Sequence, residues 1–444
     1  MALLLPAQAW ANPAPILDSQ AQAYQAMSEL ERIKLLIALC NSGQHELAAN
    51  LVERYPLEGE FGANRKLFVD GMILKGRRDY KGAVKKFRAA LADDPKLTLV
   101  RAELAKTLYI LEEDDSAKHH LEQLMAAAPD QREAQGVKSF IDTIDARRPY
   151  SISAFASVAP NSNITNGTYN DTIYVNGIPF KVNGLSEETS GLGFAGGLNG
   201  AYSKRLGNNL SAIVAGGVTG RKYDDGDFDT LTTSQSVEFR YLADTGYIGL
   251  GAVGSQSFGH FFNGTAFENF DLNSYAVGPR VSMQKQLGPK DQLSASSVFE
   301  FRTNPNSPES DGTASLNSLA WTHAFNESLA VTLGVGVDRV TADAETMAYW
   351  TRSANLQIYK ELPAGITTTL RGEARFSDFD ARHPVFGSAR EDTRYIGTVR
   401  LTKRDFDIWG YAPVLEYTYT RNDSNQDLYQ FDSHAVDFRL TKDF

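Results

Sequence analysis

Two hydrophobic periods divide this chain. From about Asp18 to Arg148, Ala, Leu, Lys and Glu recur at the spacing of amphipathic helices. After Arg147-Arg148-Pro149 the period drops to two, and β-branched, aromatic and Gly residues take over. The last stretch, Ser433 to Phe444, shows the second pattern plainly. Val436, Phe438, Leu440 and Phe444 fall on one strand face, with Asp437 and Arg439 on the other. A strand between lipid and a wet lumen needs that dyad, but a half-buried strand of a soluble sandwich shows it too. The decision rests on how many such strands there are and how they are joined.

The spacing predicts about fourteen strands, centred near Ser153, Ala195, Val214, Phe239, Gly251, Val281, Phe299, Ala320, Val335, Leu356, Gly372, Val399, Leu415 and Phe438. Tight Gly-, Pro-, Asn- and Asp-containing turns are expected at Leu206–Asn208, Ala243–Gly246, Leu287–Asp291, Phe325–Ser328, Leu362–Gly365 and Lys403–Phe406. Between them fall longer polar loops: Pro160–Glu187, Arg221–Thr230, His260–Glu268, Asn304–Asp311, Ala342–Ala348, Asp378–Glu391 and Arg421–Leu428. Short and long connections alternate, as they do in outer-membrane barrels. An even strand number returns the chain to the side of the short turns, so the helical part and Phe444 are both expected in the periplasm. A soluble sandwich has no reason to alternate its loops this way.

The helical part carries an internal repeat. Gly76, Tyr80, Ala83, Phe87, Ala90 and Pro95 fit the tetratricopeptide pattern of small residues at a helix crossing, an aromatic knob and a closing proline. One repeat length later stand Ala117, Leu121, Leu124 and Pro129. Gly43, Ala48 and Val52 suggest a degenerate earlier copy. The expected product is a short solenoid whose concave face binds extended peptide or protein, or one that only holds the barrel or a partner subunit in place.

On the barrel strands, Val237/Phe239/Tyr241, Phe299/Phe301, Tyr395/Val399/Leu401 and Leu415/Tyr417/Tyr419 are expected to meet lipid. The opposite faces carry Glu238, Arg240, Glu300, Arg302, Arg371, Glu373, Arg375, Arg400, Glu416, Asp437 and Arg439, a lumen lined by both signs. Those charges could brace the wall as ion pairs or wet a passage for a polar chain.

Composition narrows the chemistry. No apolar run approaches the ~20 residues of a membrane helix, which leaves strands as the means of crossing. Residues 1–11, with Ala9-x-Ala11, look like the remnant of a secretory signal. The single cysteine, Cys40, excludes an internal disulfide and lies on an apolar helix face. The net charge of −10 gives no reason to expect nucleic acid as a partner. His119 and His120 are adjacent on a helix and point apart, which is poor metal geometry. His260, His383 and His434 show no catalytic spacing, and no nucleophile elbow, phosphate loop or HExxH occurs. The expectation is therefore no enzyme and no cofactor.

At the domain junction, Arg148-Pro149-Tyr150-Ser151-Ile152 followed by Ala159-Pro160-Asn161-Ser162-Asn163-Ile164-Thr165-Asn166 resembles the start of the barrel in the surface lipoprotein assembly modulator (Slam) family. The order of parts is similar too: a signal (1–11), a periplasmic tetratricopeptide domain (12–148) and a barrel (149–444). The resemblance implies an outer-membrane translocon of Gram-negative bacteria. Its clients would be surface lipoproteins or secreted haem- and metal-acquisition proteins, with no cofactor and no catalytic residues. Phe438, Leu440 and Phe444 would be read by the barrel-assembly machinery, with periplasmic chaperones escorting the chain and outer-membrane lipid around it. Lys442 departs from the apolar residue usual in that signal. A polysaccharide exporter also joins tetratricopeptide helices to a barrel, but its lumen should be one-signed and its repeat array longer. A diffusion porin needs no helical docking module.

Overall fold

The computed structural model describes residues 18–58, 63–175, 177–182, 184–224, 226–260, 269–404, 406 and 411–441. The expected signal remnant at 1–11, Lys442, Phe444 and most of the His260–Glu268 loop lie outside these residues.

Among the described residues eight helices come first: α1 (Asp18–Ala26), α2 (Glu29–Asn41), α3 (His45–Arg54), α4 (Ala63–Gly76), α5 (Tyr80–Asp93), α6 (Thr98–Ile110), α7 (Asp114–Ala127) and α8 (Gln131–Arg147). Their starts carry side-chain caps where the sequence supplies them. Ser28 and Glu31 form a capping box, Asp79 accepts from the Gly82 N–H at 2.9 Å, and Asp130 accepts from the Glu133 N–H at 2.9 Å. The first core gathers Tyr24, Ile33, Leu36, Ala48, Leu51, Leu57, Val69 and Ile73. None of the described helices is long and apolar enough to cross a membrane.

The repeat is written in the backbone as well. Gly43, Arg78 and Glu112 all hold a positive φ (80°, 64° and 62°) just after α2, α4 and α6. The next N–H then reaches back five residues each time: Gln44 to the Leu39 carbonyl, Asp79 to Leu74 and Glu113 to Leu108. That is the Schellman closure of a helix end, used three times to turn one helix of a pair into the next.

Fourteen antiparallel strands close a barrel in simple chain order. They are β1 (Tyr150–Asn161), β4 (Gly191–Arg205), β5 (Leu210–Tyr223), β6 (Thr230–Ala243), β7 (Gly246–Gly259), β8 (Asp271–Gln286), β9 (Asp291–Thr303), β10 (Gly312–Asn326), β11 (Leu329–Val340), β12 (Tyr349–Leu362), β13 (Ile366–Arg382), β14 (Ala389–Lys403), β15 (Ala412–Ser424) and β16 (Phe431–Thr441). A separate hairpin, β2 (Thr172–Val175) with β3 (Ile178–Lys181), sits in the first long loop. Every predicted strand centre falls inside one of the barrel strands. Between β12 and β13, Ala364 and Gly365 both adopt φ above +60°, the paired left-handed turn that matches strand twist.

Three differences from the sequence reading have physical causes. After β14 the expected turn bond forms, from the Phe406 N–H to the Lys403 carbonyl at 3.4 Å, but β15 starts only at Ala412. The polar loops near 378–391 and 421–428 are shorter than their composition suggests, since ladder pairing carries β13 to Arg382 and β15 to Ser424. Three other loops turn on single 3-10 turns, Gly226–Phe228, Pro308–Ser310 and Glu345–Met347, and the connection before β16 does so at Asp427–Tyr429.

Candidate functional site

The helical repeat packs as its residue types require. Ala83, Phe87 and Ala90 of α5 are fully buried, and Ala117, Leu121 and Leu124 of α7 are buried one repeat on. Phe68 tilts against Phe87 with ring centroids 5.9 Å apart. Gly76 is needed where α4 nears α3, because a Cβ there would stand 2.5 Å from His45 Cβ. Tyr80 is half-buried at the head of α5, Pro95 is buried ahead of α6, and Pro129 is exposed before α8.

Three further residues complete this packing and were not singled out from the sequence. Gly71 faces Phe87 so closely that a Cβ would overlap its ring. Arg101, fully buried on α6, donates from Nη2 to the Pro95 carbonyl at 2.5 Å and sets Nη1 3.3 Å from His120 Nδ1. Glu103, also buried, accepts from Lys75 at 2.5 Å and Lys106 at 2.8 Å. Burial alone would raise its pKa, and the Lys106 and Lys75 bonds overturn that and hold it below the ordinary carboxylate value.

The other polar candidates take structural positions. Burial pushes the Cys40 thiol up to about 11, so it stays protonated at neutral pH. The rings of His119 and His120 sit 5.5 Å apart at 66°. His260 stacks edge-on against Phe270, His383 leans on Phe386, and His434 shares a 2.7 Å hydrogen bond with the Tyr417 hydroxyl. Among the described residues no cluster of three or more His, Cys, Asp or Glu is placed to hold a metal.

On the barrel wall the charged residues come together in pairs. Arg240 grips Glu238 from Nε and Nη2 at 3.1 and 2.9 Å and lies over the Tyr247 ring at 4.1 Å. Glu238 also accepts from Ser282, and Gly249 makes room for it, since a Cβ there would come 2.0 Å from Glu238 Oε1. Arg302 holds Glu300 at 3.1 Å, while Arg371 (2.7 Å) and Arg375 share Glu373. Leucines, valines and aromatics such as Val237, Phe239, Tyr241, Phe299 and Phe301 stand exposed on the alternate positions of these strands. Glu361 and Arg404, a buried pair 2.8 Å apart, were not anticipated.

The remaining charges meet where the barrel closes. Arg400 of β14 bonds Glu416 of β15 at 2.5 Å, and Arg439 of β16 lies 3.6 Å from the same carboxylate. Arg439 bonds Asp437 at 2.9 Å, and Asp437 accepts from Ser157 of β1 at 2.9 Å. Side chains therefore run unbroken across four strands and over the joint between first and last.

Among the described residues β1 is aligned with β16 only at Ser157/Arg439, Val158/Phe438 and Asn161/Ala435. By contrast β13 follows β14 without a break from Ile366/Lys403 to Asp378/Glu391. On the β16 side the alignment skips Ala159 and Pro160, while towards β4 the pairing of β1 is unbroken from Tyr150 to Asn161. Below Ser157 the burial alternation of β1 fails, and Tyr150 to Ala154 are exposed on both faces.

Above Pro160, side chains add to the Asn161/Ala435 pair and to the bond from the Ser162 N–H to the His434 carbonyl. Asn163, 1% exposed, donates from Nδ2 to the Gly167 and Asp432 carbonyls, both at 2.9 Å, and accepts from the Gly167 N–H at 3.0 Å. Asn161 Oδ1 accepts from Ser433 Oγ at 2.7 Å and from the Asn163 N–H at 2.9 Å. Ser162 and His434 exchange two bonds of 2.9 Å. Thr168 reaches the Asp427 carbonyl at 2.8 Å, and Tyr169 and Asn170 reach Gln430. Asn166 supplies the left-handed corner at φ 52°. The Asn-rich motif of the junction is thus a knot tying the first long loop to β16 and to the loop before it.

A family model described as surface lipoprotein assembly modifier matches residues 150–444, and a tetratricopeptide repeat model matches 74–139. "Surface lipoprotein assembly modifier 1" of Haemophilus influenzae is 19% identical over 85% of this chain and 77% of its own length. "Hemophilin secretion modulator" of Acinetobacter baumannii is 31% identical over 24% of this chain and 22% of its own. Among solved structures, a Pseudomonas aeruginosa FadL homologue overlaps 72% of this chain and 96% of its own at a TM-score of 0.36 and 13% identity, too loosely to carry function. The closed fourteen-strand wall is that of an outer-membrane protein. With its whole barrel matched and repeat helices ahead of it, the chain belongs to the surface lipoprotein assembly modifier family.

Proposed function

We propose that this chain is an outer-membrane translocon: it captures specific client proteins in the periplasm and moves them to the cell surface or the medium. The clients would be surface lipoproteins or secreted haem- or metal-acquisition proteins. The observation that carries this reading is the pairing, on one chain, of tetratricopeptide helices with a barrel matched along its length to one family. The relatives' names support it, one modifying surface lipoprotein assembly and the other modulating hemophilin secretion.

The physical reading follows the two periods. Residues 12–148 form the capture domain and 149–444 the barrel. β1 enters from the end of the tight turns, which is periplasmic in such barrels, and fourteen strands bring the chain back to it. The wall charges opposite the exposed apolar positions line a wet lumen, because an Arg or Lys turned toward the hydrocarbon midplane would cost ~2–4 kcal/mol. The work is transport without catalysis or cofactor, drawn forward by client folding outside. The barrel-assembly machinery and periplasmic chaperones deliver the chain, partly through Phe438, Leu440 and Phe444, and outer-membrane lipid surrounds it.

The test is co-expression in a Gram-negative host with the signal-bearing protein encoded beside this chain as client, read by protease shaving of intact cells. Deleting residues 12–145 should leave a heat-modifiable barrel and reduce surface client about tenfold or more, the equivalent of ~1.4 kcal/mol of capture. Unchanged display by the deleted chain would remove the helices from the mechanism.

A further inference from the structure

We propose that Arg375 of β13 and Arg394 of β14 form a carboxylate-binding site on the lumen side of the wall, and that acidic side chains of the client occupy it in passing. The identity of the ligand rests on the translocon reading. The site itself rests on two adjacent strands.

Arg375 and Arg394 are aligned partners in the β13–β14 ladder. Directly opposite residues stand with their Cβ atoms about 4.5–5.5 Å apart, where like charges repel. Phe376 and Tyr395, the next residue on each strand, are exposed with the apolar outer positions, so the two arginines share the opposite face. Stability alone would set an arginine beside a carboxylate there.

The charge on this face does not balance. Arg371, Arg390, Arg400 and Arg439 bond Glu373, Asp392, Glu416 and Asp437 in turn, at 2.7, 2.5, 2.5 and 2.9 Å. Arg375 has only a share of Glu373, through Nε. Arg394 has no carboxylate bond among the described residues, and its Nε donates to Asn422 Oδ1 at 3.1 Å. Asp392, the acid nearest to it in sequence, takes both its bonds from Arg390 on Oδ2.

Both guanidinium groups are held in place. Asn422 is fully buried and donates from Nδ2 to the Tyr429 carbonyl at 2.7 Å, while the Phe431 ring centroid lies 5.4 Å from Arg394 Cζ. Each arginine is thus anchored through Nε, and the terminal nitrogens of the two make no bond among the described residues. Arg375 keeps 47% of its side chain exposed, so a polar chain can reach it. Two guanidinium groups side by side with free terminal nitrogens match the fork geometry of a carboxylate. Partly exposed charges bind weakly and are screened by salt, which suits a hold that must release.

The test uses the purified chain in lipid nanodiscs. A fluorescent peptide of alternating Glu and Ser, and its Gln counterpart, are titrated against it by anisotropy at low salt. The Glu peptide should bind in preference to the Gln peptide, and Arg375→Gln with Arg394→Gln should weaken it about tenfold. Arg421→Gln with Lys222→Gln, which removes the same charge from the outer face of β15 and β5, should leave binding unchanged. The heat-induced band shift of the inner double variant should come no earlier than that of the parent, because the lost pair was repulsive. Equal binding by parent and inner double variant, or an earlier band shift that marks the pair as a brace, would overturn the site. Inorganic phosphate binding the parent as tightly as the Glu peptide would assign the site to a free anion and overturn the client as its occupant. In the co-expression system described above, the inner double variant should display less client, and undiminished display would overturn its use in transport. If the parent displays none, the translocon reading fails, and the peptide titration still judges the site.

Discussion

At the scale of single residues, Arg78 and Glu112 stand out because they occupy a left-handed backbone that Gly43 occupies without penalty. A side chain in that conformation costs roughly 1 kcal/mol. Glu112→Gly should therefore stabilise the helical domain by up to about 1 kcal/mol, seen as a later helical transition when the detergent-solubilised chain is unfolded by urea. Glu103 gives a prediction with a pH signature. Its folded pKa is depressed, so its contribution is present above the ordinary value of 4.5 and disappears as pH falls through the folded value. Glu103→Gln should weaken the helical domain by about 1–3 kcal/mol at neutral pH, with the gap to the parent protein closing under acid, measured as unfolding midpoints across pH. Ala83, Phe87 and Ala90 were legible because the repeat fixes their spacing along one helix. Gly71, Arg101 and Glu103 were not, because the partners that define them, Phe87, His120 and Lys75, sit on other helices.

At the scale of elements, the barrel strands were legible from their period and from the turn residues between them. The alternation survives even where loop boundaries moved, since lipid and water act on every second residue. The β2–β3 hairpin was not legible. Each strand is four residues long, too short for a period to declare itself inside a polar loop. The wall pairs add something no pattern carries, namely which glycine accommodates which charge. Gly249→Val would drive a Cβ into Glu238 and disturb its bonds to Arg240 and Ser282. A loss of ~1–3 kcal/mol is expected from overpacking of this kind, visible as a lower temperature for the folded-to-unfolded band shift on gels. At the outer loops, Arg390 lies 3.6 Å from the Tyr429 ring centroid and 4.6 Å from that of Phe379. That stack joins β13, β14 and the turn before β16 by contacts between residues far apart in sequence.

For the molecule as a whole, each barrel strand but one lies beside its predecessor among the wall strands, and that exception brings the first strand against the last. Contact order is accordingly low up to the final hairpin and then jumps, which puts the slowest step of assembly at the closure of β1 on β16. Until Phe431–Thr441 docks on β1, the open sheet carries two raw edges that neither bilayer nor periplasmic water leaves harmless, since exposed edges recruit other strands. Truncation by a single strand is therefore expected to yield aggregates instead of a smaller pore.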